Sequence, residues 1–281
     1  MISMAARWLL STFLVWITLA ASVARSATEE RADTETAVCG AIREPFVFWL
    51  WRMLAGYPDP KRVEHVDGLE PIRFKTRDTI ELGGYKLAAT NPKGYLLVAQ
   101  GNAMLADQLV ADLQAFRNLG LDIYILDYRG YGISNGKSRL AAIVGDYAEV
   151  VRHLNTLGYA KRLLYGISMG GVILLNAVGR SEEAYTRLVV DSSPSRISEF
   201  GCPETFDPVE HLPKDSSNLM VISGAQDEVV SPWQMEELIR VVRSQGGHVL
   251  QDNQFAHPYQ DLNQATHRRR QDEAAKFLLK D

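Results

Sequence analysis

The side chains with the clearest chemistry are one serine, one aspartate and one histidine, in that order along the chain. Ser168 sits in Gly166-Ile167-Ser168-Met169-Gly170, after the apolar run Leu163-Leu164-Tyr165 and before Val172-Ile173-Leu174-Leu175. Strand, then G-x-S-x-G, then helix is the context of a nucleophile elbow, a turn so tight that glycine occupies the places two residues either side of the serine. A serine hydroxyl is a poor nucleophile until a base takes its proton, and the base needs an acid to fix its tautomer. On a parallel sheet both belong just past the carboxyl ends of later strands. Asp227 follows the apolar run 219–224, and His257 stands in Phe255-Ala256-His257-Pro258, where the proline biases it away from helical geometry. Asp191, also at a strand end, is the rival acid. His248 opens a strand at the opposite edge, His153 and His267 fall in helical stretches, and His65 and His211 follow no strand. The chemistry of such a trio is attack on a carbonyl carbon, whose oxyanion needs two fixed N–H donors. The backbone N–H of Met169 is one expected donor. That of Asn102, in Gln100-Gly101-Asn102-Ala103, is the other.

These groups need a frame. Residues 71–76 and 79–89 alternate or run apolar and read as an antiparallel hairpin, with Gly83-Gly84 as its turn. From residue 95 onward strands at 95–99, 121–126, 163–165, 188–190, 219–222 and 248–250 alternate with helical faces. Leu105, Leu109, Leu113 and Phe116 form one such face; Ile143, Tyr147, Val150, Val151 and Leu154 form the next. Ser231-Pro232-Trp233-Gln234 is a capping box opening a helix whose Met235, Leu238, Ile239 and Val242 share a side. A last helix is expected from about Pro258. The pattern defines an α/β class: a mostly parallel, twisted sheet flanked by helices, with right-handed crossovers. The one long irregular insert, 193–216, is short, so a minimal cap and a fairly open pocket are expected.

The chain has 281 residues and a formal net charge of −4, with no basic stripe, which argues against nucleic acid as a partner. Residues 1–24 carry a single charge, Arg7, and an apolar run from Trp8 to Val23 ending in small residues. They read as a secretory signal peptide, with an uncleaved anchor as the competing reading. The product is then periplasmic or secreted, or held at a membrane by its N-terminus. Export changes how Cys39 and Cys202, the only two cysteines, are read. They are either bridged, for up to about 5 kcal/mol of stabilisation, or two buried thiols. Residues 25–70 form an N-terminal extension holding an apolar helix around Phe46-Val47-Phe48-Trp49-Leu50-Trp51. That helix is expected to pack on the main domain, 71–281. The alternative has it lie on a membrane surface or roof an acyl pocket, although the lysines of an interfacial helix are missing.

Gln100-Gly101-Asn102-Ala103, Asp127-Tyr128-Arg129-Gly130-Tyr131-Gly132-Ile133-Ser134 and Gly166-Ile167-Ser168-Met169-Gly170-Gly171 together resemble the α/β-hydrolase superfamily, in its Bem46/ABHD-like and serine aminopeptidase S33-like group. The resemblance runs from about Pro71 to the C-terminus. It implies the α/β-hydrolase fold, a triad of Ser168, Asp227 and His257, and no metal or organic cofactor. Gln100 stands where that family usually carries a histidine that shapes the oxyanion loop. The Asp127–Gly132 motif is expected to organise the crevice floor without a catalytic part. The expectation is an exported serine hydrolase, most plainly a carboxylesterase acting on a small-molecule or lipid-like acyl substrate. A peptidase or amidase on the same triad, and a non-enzymatic binding protein of the cell envelope, are the alternatives. Peripheral membrane contact would run through the N-terminal segment.

Overall fold

Three apolar runs bury every residue they contain, which requires cover on both faces. They are β3 (Gly94–Ala99), β4 (Leu121–Leu126) and β7 (Leu219–Gly224). A computed structural model, which describes residues 36–280, sets them in one eight-stranded sheet. The others are β1 (Leu69–Lys75), β2 (Glu81–Leu87), β5 (Lys161–Ile167), β6 (Arg187–Asp191) and β8 (His248–Asp252). The order is β1-β2-β4-β3-β5-β6-β7-β8. β1 and β2 are antiparallel to their neighbours, and every pairing from β4 through β8 is parallel. The expected signal peptide, 1–24, lies outside the described residues.

Among the described residues, six helices pack against the sheet or over its carboxyl edge: α1 (Arg43–Ala55), α2 (Ala106–Asn118), α3 (Leu140–Asn155), α4 (Met169–Ser181), α5 (Pro232–Ser244) and α6 (Gln264–Leu279). The side-chain period of two along each strand splits the core into two layers. Leu164 of β5 joins the layer formed with Tyr147 of α3, Val172 of α4 and Leu238 of α5. Its neighbours Leu163 and Tyr165 join Leu109 and Leu113 of α2 and Phe277 of α6. The helical faces expected from spacing are the buried ones, and the Ser231–Gln234 capping box opens α5. None of the described helices is long and apolar enough to cross a membrane.

Three expectations need correction. Gly83 and Gly84 do not turn the first hairpin; both lie inside β2, and the turn closes at Thr76–Ile80, where Thr76 N–H donates to Ile80 O at 2.9 Å. The glycines are there for clearance, since a Cβ at Gly84 would overlap the Ile125 carbonyl of β4. The last helix begins at Gln264, not near Pro258, because Asn263 caps it by accepting from Thr266 N–H at 2.9 Å. This leaves His257 on a longer loop than the proline alone implied. The crevice is also less open than the short insert suggested. Residues 198–211 form three single-turn 3₁₀ segments, while the cover over the crevice comes from α1.

Candidate active site

Ser168 adopts φ 53° and ψ −116°, a conformation costly for a residue with a Cβ and held only by its surroundings. Its N–H donates to Asp191 O at 2.8 Å, and its carbonyl accepts from Gly171 N–H and from the Ser193 hydroxyl at 2.6 Å. The glycines are needed for contact: a Cβ at Gly170 would overlap the Ala99 carbonyl, and one at Gly171 would overlap Ser193 Oγ. The elbow therefore sits tightly between the ends of β3 and β6. The Ser168 hydroxyl makes no hydrogen bond to any described residue, yet it is not sealed off and forms part of a cavity wall.

The ends of β7 and β8 are stitched together by Gln226 N–H donating to Phe255 O at 3.0 Å and Ala225 N–H to Asp252 O at 2.9 Å. Gly224 permits this approach, because a Cβ there would overlap the Phe255 carbonyl. The stitch brings Asp227 and His257 together: His257 Nδ1 lies 3.0 and 3.1 Å from the two carboxylate oxygens. Asp227 Oδ1 also accepts the N–H groups of Val229 and Val230 at 2.9 and 2.8 Å, which fixes its plane. Burial pushes the Asp227 carboxyl up, but the hydrogen bond and charge of His257, with Val230 N–H and the Ser192 hydroxyl, outweigh it. Its pKa falls below the ordinary carboxylate value. Nδ1 is thus committed to the acid, and Nε2 is free to face a hydroxyl.

The structure places the sequence-derived residues as follows. Asp227 and His257 are paired. Ser168, Met169 and Asn102 share one cavity wall, and Gly101 backs onto the Ser168 side chain. Ser168 and His257 are not hydrogen-bonded to each other. Asp191 is not the partner of the imidazole. It is fully buried, bonded to Arg270 at 2.7 Å and to the Tyr165 hydroxyl at 2.9 Å. Cys39 and Cys202 form a disulfide. Gln100 does not reach the site: its side-chain amide donates to Leu126 O at 3.0 Å, and its backbone carbonyl accepts from the Tyr128 hydroxyl. The side chain anchors the loop 100–103 from below. Asp127 is structural, accepting Ala106 N–H at 2.8 Å and Ile133 N–H at 2.9 Å, which ties the start of α2 to the following turn.

One feature escaped the sequence reading. Arg270 of α6 bonds Asp191, Asp261 and the Ala256 carbonyl, holding the loop that carries His257. No local signal marks an inward-facing arginine in a charged helix. The expected pocket is a cavity of about 500 Å³, walled mainly by apolar side chains. Val47, Phe48 and Trp51 of α1 form its roof, facing Val172, Ile197 and Phe200. The aromatic run in α1 was the available signal: the helix packs on the domain through Phe48 and Ala55 and also lines the cavity.

An eight-stranded, mostly parallel sheet with this elbow and a carboxylate–imidazole pair at its carboxyl edge is the α/β-hydrolase fold, and the chain is similar to proteins of that superfamily. Residues 90–203 match the family described as serine aminopeptidase, S33, a stretch that includes Asn102 and Ser168 and stops before Asp227. Protein bem46 of Schizosaccharomyces pombe is 25% identical over 189 residues, covering 59% of this chain and 63% of that protein. Alpha/beta hydrolase domain-containing protein 17C of Xenopus laevis is 25% identical over 224 residues, covering 75% and 68%. Among solved structures, the Pyrococcus furiosus esterase Pf2001 superposes with a TM-score of 0.61 at 16% identity, covering 75% of this chain and 91% of that one. The last likeness speaks to fold.

Proposed function

We propose that this protein is an exported serine esterase that cleaves acyl esters through an acyl-enzyme intermediate. Ser168 Oγ attacks the carbonyl carbon, and His257 Nε2 takes its proton and later returns it to the leaving alcohol. Asp227 holds the imidazole through Nδ1 and stabilises its charged form. The N–H groups of Met169 and Asn102, on the same wall as Ser168, hold the oxyanion. Water then attacks the acyl-enzyme by the same route, and no metal is needed for either half. The carrying observation is the strained Ser168 in the wall of an apolar cavity, on the sheet edge that also bears the His257–Asp227 pair. The apolar run at 8–23 and the Cys39–Cys202 disulfide support export.

The second reading, hydrolysis of aminoacyl bonds, has the family description behind it. A free carboxylate in the pocket is the strongest partner for an α-ammonium. The one acidic residue in the cavity wall, Glu44, is already used, accepting Cys39 N–H at 2.6 Å and Leu140 N–H at 2.8 Å. Ester cleavage is therefore the better fit. The experiment is a panel of p-nitrophenyl esters of graded acyl length against aminoacyl p-nitroanilides, with fluorophosphonate labelling of wild type and Ser168→Ala. Turnover of esters and labelling that vanishes in the variant are expected. Labelling that survives in Ser168→Ala would overturn the assignment, and a preference for the anilides would replace ester with amide.

A further inference from the structure

A helix that is apolar all round is normally buried all round. α1 is not. Its inner side supplies buried Phe48 and Ala55 and the roof residues Val47 and Trp51. On its outer side Ile42, Phe46, Trp49, Leu50, Met53 and Leu54 recur at helical spacing and stand in water, Leu54 at 67% and Phe46 at 57% exposure. Phe46 and Trp49 stack on each other across that face, with ring centroids 5.8 Å apart. A contiguous patch of this kind on one helix marks an interaction surface.

We propose that this outer face of α1 seats on an anionic bilayer surface, so that acyl chains pass from the lipid into the cavity beneath the same helix. Three observations select a bilayer. The exposed residue types are those of the membrane interface: tryptophan, phenylalanine and leucine, with exposed Tyr57 just beyond the helix. The charge is complementary. From Ile42 to Tyr57 the exposed charged residues are Arg43 and Arg52, and the single acid, Glu44, is buried, although the whole chain carries −4. A two-fold pairing of two copies through this face would bring those like charges together. Finally, the apolar surface continues into the cavity. Phe200 and Val229 both line it while standing about half exposed at its mouth. The start of α1 is fixed to the Phe200 segment by the Cys39–Cys202 disulfide and by Arg43, whose guanidinium donates to Cys39 O and to Gly201 O at 2.5 Å.

The surface contact stands by itself; only the passage of acyl chains rests on the esterase reading. The test uses the full chain carrying Trp8→Phe, Trp16→Phe and Ser168→Ala, so that the apolar run at 8–23 adds no tryptophan signal, mixed with vesicles of phosphatidylcholine and phosphatidylglycerol that contain a brominated phospholipid. The bromines should quench tryptophan emission, and Trp49→Phe should remove at least half of that quenching while Trp51→Phe, on the inner side, leaves most of it. In the enzyme with Ser168 intact, Phe46→Ser with Trp49→Ser and Leu54→Ser should lower turnover of a long-chain ester embedded in vesicles tenfold or more, and leave a soluble short-chain ester within twofold. Quenching indifferent to Trp49→Phe overturns the proposal, as does a dimer that these substitutions dissociate. Absence of turnover on both esters in the unmutated enzyme would sink the esterase reading, while the quenching result would still judge the surface.

Discussion

Each reactive group in this site is defined by what its neighbours leave free. Asp227 takes the Nδ1 side of His257 and two backbone N–H groups, which leaves Nε2 as the ring nitrogen not engaged by the acid. Replacing Ser168 by Ala should abolish ester turnover without changing the melting temperature, since the hydroxyl has no protein partner; circular dichroism and a p-nitrophenyl ester assay check both. Asp227→Asn should lower kcat about 10,000-fold, as the tautomer of the imidazole is no longer held. A second histidine reports on stability. His267 lies between Asp112, 3.6 Å away, and Asp261, 3.5 Å away, whose interactions push its pKa up to about 9. A raised folded pKa means stability fully present below the ordinary value near 6.5 and lost as pH rises through about 9. The site is partly solvated, so about 1 kcal/mol is expected. Denaturant midpoints measured from about pH 6 to 10 should fall over that window, and the fall should vanish in His267→Gln.

At the scale of elements, the site depends on close approaches that side chains would prevent. Gly170→Ala drives a Cβ into the Ala99 carbonyl at the base of the elbow. It should cost about 1–3 kcal/mol or more and displace Ser168, so that urea unfolding shifts and fluorophosphonate labelling slows together. A Gly170→Ala variant of unchanged stability that labels normally would contradict the packing described. The loop bearing His257 depends on α6 in the same way. Arg270→Met leaves Asp191 buried without its cation and should destabilise by about 3–5 kcal/mol, read from chemical denaturation.

For the whole molecule, the question is what closes the crevice. The insert after β6 is too small, and α1 performs the task from outside the stretch that resembles the hydrolase family. Its attachment is covalent, through Cys39–Cys202, and by hydrogen bonds of charged side chains to the backbone, with Glu44 accepting from Leu140 N–H and Arg43 donating to Gly201 O. Replacing both cysteines by serine should cost up to about 5 kcal/mol, because the bridge closes a span of 163 residues. It should also weaken long-chain more than short-chain ester turnover, as the roof loosens. Differential scanning calorimetry and the ester panel measure the two effects, and a thiol assay on the native protein should find no free thiol.

The division between what could be read and what had to be seen follows from the range of the forces involved. Periodicity is local, so the alternating strands and helices, the buried faces of α2 and α3 and the capping box of α5 were all legible, as were a serine between spaced glycines and an acid and a histidine after apolar runs. Clearance between chain segments is not local. Gly83 and Gly84 look like a turn until the Ile125 carbonyl is placed beside them, and Gln100 looks like a change in the oxyanion loop until Leu126 accepts its amide. The union of Cys39 with Cys202, and which of the readings of α1 holds, were likewise decided only in three dimensions. Each depends on which distant backbones the sheet brings within a few ångströms, and no spacing along a single chain encodes that distance.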